Sequence, residues 1–209
     1  MNKKNENKVN TYNNLIINGI NKAKEGELYQ SKEIFLKAIS LNKKEYKAYI
    51  NLSNISILQN NIVEAQETLK KYILKNNYNV EALKYFYNIC QKYNHENTLI
   101  KFLDKLETLD SNLHYDNQYY LYYLKANFYD KSNQTQKALQ YFLKSIQKNK
   151  NFHESYINYL DLLERTNNLK EFKEVINIYK NNNQKNNKIL FFESLLLNRD
   201  GDFKKSEKI

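Results

Sequence analysis

The residues of this chain that could carry chemistry are few: three histidines, one cysteine and one short run of charges. His95, His114 and His153 lie far apart, in no spacing that gathers ligands around a metal, so no metal site is expected. Cys90 falls on the inward face of an amphipathic helix, where a buried structural thiol is expected rather than a nucleophile. Asp161, Glu164 and Arg165 share one helical face and read as a solvated charge cluster. The three glycines leave no phosphate-binding loop. The expectation is a chain with no catalytic residue and no cofactor.

Composition points to what must position these residues. With 41% apolar and 14% aromatic residues, the chain is too apolar for disorder. It has 35 Asn and 31 Lys against two Arg, Arg165 and Arg199, a bias that AT-rich coding produces. The net charge of +10 favours an acidic partner, but the lysines are dispersed rather than blocked. Nucleic-acid binding would call for Arg-rich stripes, so no nucleic-acid partner is expected. A single cysteine fits a reducing compartment. No apolar stretch follows the lysines of "MNKKNENKVN", and no apolar run is long enough for a span. A cytoplasmic protein without a membrane partner is expected. Three Gly and no Pro argue for an all-helical chain.

The helices repeat. In "AYINLSNISILQNNIVEAQETLKKYILKNN" (48–77), Tyr49, Leu52, Ser53 and Ser56 share one helical face. Asn60 and Asn61 break the pattern, and Ile62, Ala65, Leu69 and Tyr72 form a second face. Phased copies precede and follow it, with one register break, "HYDNQ", at 114–118. The turn position reads Gly26, Asn60, Asn94, Asn133, Asn167 and Gly201. Gly and Asn are the residues that enter the left-handed region readily, as a helix end followed by a tight turn requires.

"YINLSNIS" (49–56), "YYLKANFY" (122–129), "AQETL" (65–69) and "ALQYF" (138–142) resemble the tetratricopeptide repeat (TPR), a helical hairpin that stacks into a solenoid. The resemblance covers 12–209 and implies an all-α fold, an α-solenoid of about five and a half repeats, right-handed as in the family. The expected division is a disordered or irregular N-terminus at 1–11, repeats at 12–45, 46–79 and 80–113, and the insertion at 114–118. Further repeats follow at 119–152 and 153–186, with a partial one at 187–209. The family's closing proline is absent, and Lys43, Asn77, Ser111, Lys150 and Gln184 stand in its place. Leu99 and Phe172 replace its small residue on the second helix. "NRDGDFKKSEKI" reads as the first half of a sixth hairpin with Gly201, Phe203 and Ser206 in phase, so the chain is expected to continue past Ile209.

In the family, first helices line a concave groove that binds peptides. By phase the groove residues are Lys47, Asn51, Asn54, Lys84, Asn88, Tyr120, Tyr123, Asn127, Asn158 and Lys188, with Asp161 and Phe192. Asn54, Asn88 and Asn127 recur at one phase and would form an amide ladder for an extended peptide, although so Asn-rich a chain would place them there in any case. Asn127, Asn158 and Lys188 match the family's carboxylate clamp, whereas Tyr123 and Phe192 stand where its cations belong, so that clamp is not expected. Tyr119, Tyr120 and Tyr123 are candidates for recognition, or else for packing against the insertion. The resemblance implies a scaffold that holds a peptide or helix of a partner protein, an acidic one by charge. Its alternative is the substrate-recruiting arm of a larger bacterial enzyme of glycosyltransferase or sulfotransferase type, since "INLSN" (50–54) is similar to such arrays. Self-association through the open C-terminal end is a third expectation.

Overall fold

The computed structural model describes residues 3–110, 117–182 and 186–199, and these form eleven α-helices without a strand. They are α1 (Lys3–Lys24), α2 (Leu28–Leu41), α3 (Tyr46–Leu58), α4 (Ile62–Lys75), α5 (Val80–Lys92) and α6 (Glu96–Asp110), followed by α7 (Gln118–Lys131), α8 (Thr135–Lys148), α9 (His153–Arg165), α10 (Leu169–Asn181) and α11 (Asn187–Arg199). The chain divides into two compact units, Met1–Leu109 and Asp110–Ile209. Within them, first helices pack on their partners (α1 on α2, α3 on α4, α7 on α8, α9 on α10) and on the next first helix (α1 on α3, α3 on α5, α7 on α9, α9 on α11), while second helices pack on the following first helix (α2 on α3, α4 on α5, α8 on α9, α10 on α11). Among the described residues no helix is long and apolar enough to cross a membrane.

Asparagine makes the turns. Gly26, Asn60, Asn94, Asn133 and Asn167 all have positive φ, between 55° and 81°. The next residue's N–H donates back five positions, as Asn61 N to Ser56 O (2.8 Å), His95 N to Cys90 O (2.8 Å) and Gln134 N to Tyr129 O (2.8 Å). This is the Schellman closure, which satisfies carbonyls the helix end would leave open. The second asparagine of Asn60–Asn61 and Asn167–Asn168 then caps the following helix, Asn61 accepting from Glu64 N and Asn168 from Glu171 N. Gly201 and the rest of the sixth hairpin lie outside the described residues, as do His114 and most of the 114–118 insertion.

The missing prolines are replaced by side-chain turns. Asn42, Asn149 and Asn186 each accept the N–H two residues on, from Lys44 (3.1 Å), Asn151 (2.9 Å) and Lys188 (2.9 Å). After α4 the chain instead places Asn77 and Tyr78 at φ 50° and 51°. Tyr78 is held there by burial and by its hydroxyl, which donates to Leu106 O at 3.0 Å.

Hairpins close on small residues. A Cβ on Gly19 would stand 2.6 Å from the Phe35 ring, so α1 and α2 cross without one. Ser31 Oγ donates to Gly19 O (2.7 Å), and Ser53 Oγ to Ala65 O (3.0 Å), at the same crossing one repeat on. Phe35, Ala38, Ala48 and Ile55 belong to a core cluster of α1–α3 in the first unit; Phe142, Tyr156, Leu160 and Leu163 belong to the core of the second. Leu99 and Phe172 are both buried at the small position.

The irregular N-terminus expected at 1–11 is corrected: the chain is helical from Lys3. Neither Gly nor Pro interrupts it before Gly19, and its next turns are anchored. Tyr12 and Ile16 are buried, and the Tyr12 hydroxyl accepts the N–H of Ala48 at 3.1 Å.

Candidate functional site

In the first unit, α1, α3 and α5 carry the face that the repeat phase assigns to binding. Between α1 and α3 lies an open cleft of about 340 Å³. Ile20, Ala23 and Phe35 form its apolar side, Asn51 and Asn54 its polar side, and Leu58, 59% exposed, its rim. The Asn51 amide donates to Lys47 O of its own helix (2.9 Å). Asn54 is tied to the next hairpin, its carbonyl accepting the Tyr85 hydroxyl. Burial pushes the Tyr85 phenol up, so it stays a donor. Lys47, Lys84 and Asn88 are exposed.

In the second unit α7, α9 and α11 carry the corresponding face. Asn158 donates to Asn127 Oδ1 (2.8 Å) and to the Tyr123 hydroxyl (3.3 Å), while Asn127 donates to Tyr123 O (2.7 Å). Tyr123, Asn127 and Asn158 therefore satisfy one another. Lys188 and Asp161 are exposed, and Asp161 pairs with Arg165 at 3.0 Å.

Two residues assigned to the groove are core instead. Tyr120 is only 8% exposed because the α7 start tucks beneath Phe152, whose ring sits 5.8 Å from that of Tyr120, 4.9 Å from Tyr119 and 5.0 Å from Tyr123. Phe192 is 3% exposed and meets Phe172 edge-on at 5.9 Å. The tyrosines thus pack on the residue that precedes α9.

The residues read as non-catalytic stand as follows. Cys90 is fully buried, accepts from Gln66 Nε2 (3.4 Å), and burial pushes its thiol up to about 12, so it is not a thiolate at neutral pH. His95 binds the same Gln66 at 2.9 Å, and His153 binds the Tyr179 hydroxyl at 2.8 Å. Among the described residues no three His, Cys, Asp or Glu side chains gather as a metal site.

Sequence reading missed Tyr85 and Phe152. Tyr85 to Asn54 and Asn158 to Asn127 are the same relation, each linking residues 31 apart on successive first helices. Pairing phases between copies, rather than treating each copy alone, would have found both.

Residues 119–151 match the family model of the tetratricopeptide repeat. No curated protein matches the chain in sequence. The fold is similar to that of Pseudomonas aeruginosa PilF, with a TM-score of 0.60 at 16% identity, covering 97% of this chain and 90% of that one. It is also similar to PilW, described as a widely conserved type IV pilus biogenesis factor (TM-score 0.57, 14% identity, 94% and 89% covered). A third neighbour is YrrB, described as a TPR protein with an unusual peptide-binding site (TM-score 0.50, 13% identity, 86% and 90% covered).

Proposed function

We propose that this chain, a tetratricopeptide-repeat protein, is an interaction scaffold whose first helices bind a peptide segment of a partner protein. The observation that carries the reading is the α1–α3 cleft, where an apolar side faces two amides. An aliphatic or aromatic side chain of the peptide enters against Ile20 and Phe35, and the Asn51 carbonyl accepts a peptide N–H beside it. Lys24 in the cleft and Lys47 and Lys84 on α3 and α5 favour a peptide with carboxylates flanking the apolar anchor. Asn88 extends the polar side along α5. YrrB supports the reading as a protein of like fold with a peptide-binding site. In the second unit Lys188 is a candidate contact, while Tyr123, Asn127 and Asn158 act as the joint between hairpins. The buried free thiol of Cys90 suits a reducing compartment, and the cytoplasm is the proposed location.

Selection of random peptides on the immobilised full chain, followed by titration of the enriched sequence, tests this. Ile20→Glu and Asn51→Ala should each weaken binding while leaving the helical circular dichroism intact. Equal affinity for both variants and the parent chain would place recognition elsewhere.

A further inference from the structure

The second helices of the first unit carry a different surface. A cleft of about 380 Å³ runs between α4 and α6, with Lys70, Lys71 and Leu74 on one side and Lys101, Phe102 and Lys105 on the other. One carboxylate, Glu67, lines it, and it is taken by Lys70 at 2.8 Å. Lys71, Lys101 and Lys105 are exposed and make no ion pair among the described residues. Lys101 and Lys105 are one helical turn apart, a spacing at which like charges repel. The lysines also border an apolar floor: Lys70 Nζ lies 5.9 Å from the centroids of both Phe86 and Phe102, a cation held over two rings.

We infer that this α4–α6 cleft is a second docking site, which takes an acidic segment of a partner protein bearing interspersed apolar residues. Four cations against one carboxylate repel each other on the free surface, and glutamates or aspartates laid across them relieve that repulsion as they bind. Leu74 and the methylene stems of the lysines receive the apolar residues between the acids. The chemistry favours a carboxylate peptide over a nucleic acid. The cations are all lysines, without the planar forks that grip phosphates bidentately, and Phe102 is 5% exposed, too buried to stack a base. The site rests on second helices and is independent of the α1–α3 cleft.

The test is fluorescence anisotropy of the full chain with a labelled dodecapeptide of Glu-Glu-Leu repeats at low salt. The triple variant K71E/K101E/K105E should lose roughly tenfold or more in affinity, and the neutral triple variant with Gln at the same positions should fall between it and the parent. The triple variant K37E/K148E/K170E, which makes the same change in net charge on exposed lysines elsewhere, should lose far less. In an Ile20→Glu background, which disables the α1–α3 cleft, K71E/K101E/K105E should still cause its full loss of affinity, which separates the site from the peptide cleft. Equal losses in the two Glu triples, no binding of the peptide at all, or equal binding of a uridine homopolymer of matched charge would each overturn the inference.

Discussion

Arg165, the last residue of α9, reaches back to Asp130 on α7 at 2.8 Å, and Arg199, the last of α11, makes the same reach to Glu164 on α9 at 3.4 Å. The chain has only two arginines, and both stand at the end of a first helix and bind an acid near the end of the preceding one. A cation there also meets the negative end of its own helix. The Arg165 guanidinium holds Asp161 as well, at 3.0 Å, a fork that lysine does not provide.

Because Arg165 is 52% exposed, this bond is expected to be modest. Arg165→Ala should cost below about 1 kcal/mol in urea unfolding, and the loss should shrink in high salt. A salt-independent coupling well above about 2 kcal/mol in an Arg165/Asp130 double-mutant cycle would show a different origin.

The left-handed asparagines give a sharper expectation. Replacing Asn94 or Asn133 by Ala keeps a Cβ at φ 56° but removes the short polar side chain that lets asparagine tolerate it, and should cost about 1–2 kcal/mol, whereas replacement by Gly should be close to neutral. Thermal melts of the four variants check it; an equal cost for Ala and Gly would mean that the amide side chain, not the backbone, holds the turn.

These turns are also where sequence and structure met most closely. Gly26, Asn60, Asn94, Asn133 and Asn167 share a phase and share a left-handed backbone, because a helix end of this kind admits few residue types. The helical hairpins were equally legible, since neither amphipathic stripe can be buried alone. The binding face was legible only by phase, and phase does not report what a neighbouring copy contributes. By phase Tyr120 and Phe192 face outward, yet Phe152, just before α9, and Phe172 on α10 cover them. Asn54 and Asn127 appeared as a free ladder, yet Tyr85 and Asn158 take their acceptors.

For that reason Asn127→Ala should act on stability. It removes the bonds to Asn158 and Tyr123 and leaves the Asn158 amide short of a partner, for about 1 kcal/mol and a melting point lower by about 2–4 °C. Asn51→Ala, whose amide bond stays within its own helix turn, should leave melting nearly unchanged. Equal shifts in the two would remove the distinction between joint and binding face.

Alkaline pH should destabilise the fold from about pH 9 upward. Burial raises Cys90 from 9.0 to about 12 and Tyr72 from 10.0 to about 12, so the folded state keeps protons that the unfolded chain releases. Their contribution is complete below the unfolded values and is lost as pH rises toward 12. Tyr72 also needs its proton to donate to Lys44 O at 2.6 Å. Melting of the parent should begin to fall near pH 9, and that of Cys90→Ala about one unit higher; an identical onset would remove Cys90 from the explanation.

The central claim is that the α1–α3 cleft recognises peptide. Its most direct measurement is an amide-resolved NMR titration of the isotopically labelled chain with the enriched peptide. The account predicts perturbations concentrated around Ile20, Asn51, Asn54 and Leu58. Perturbations confined to the second helices, with α1 and α3 unchanged, would contradict it.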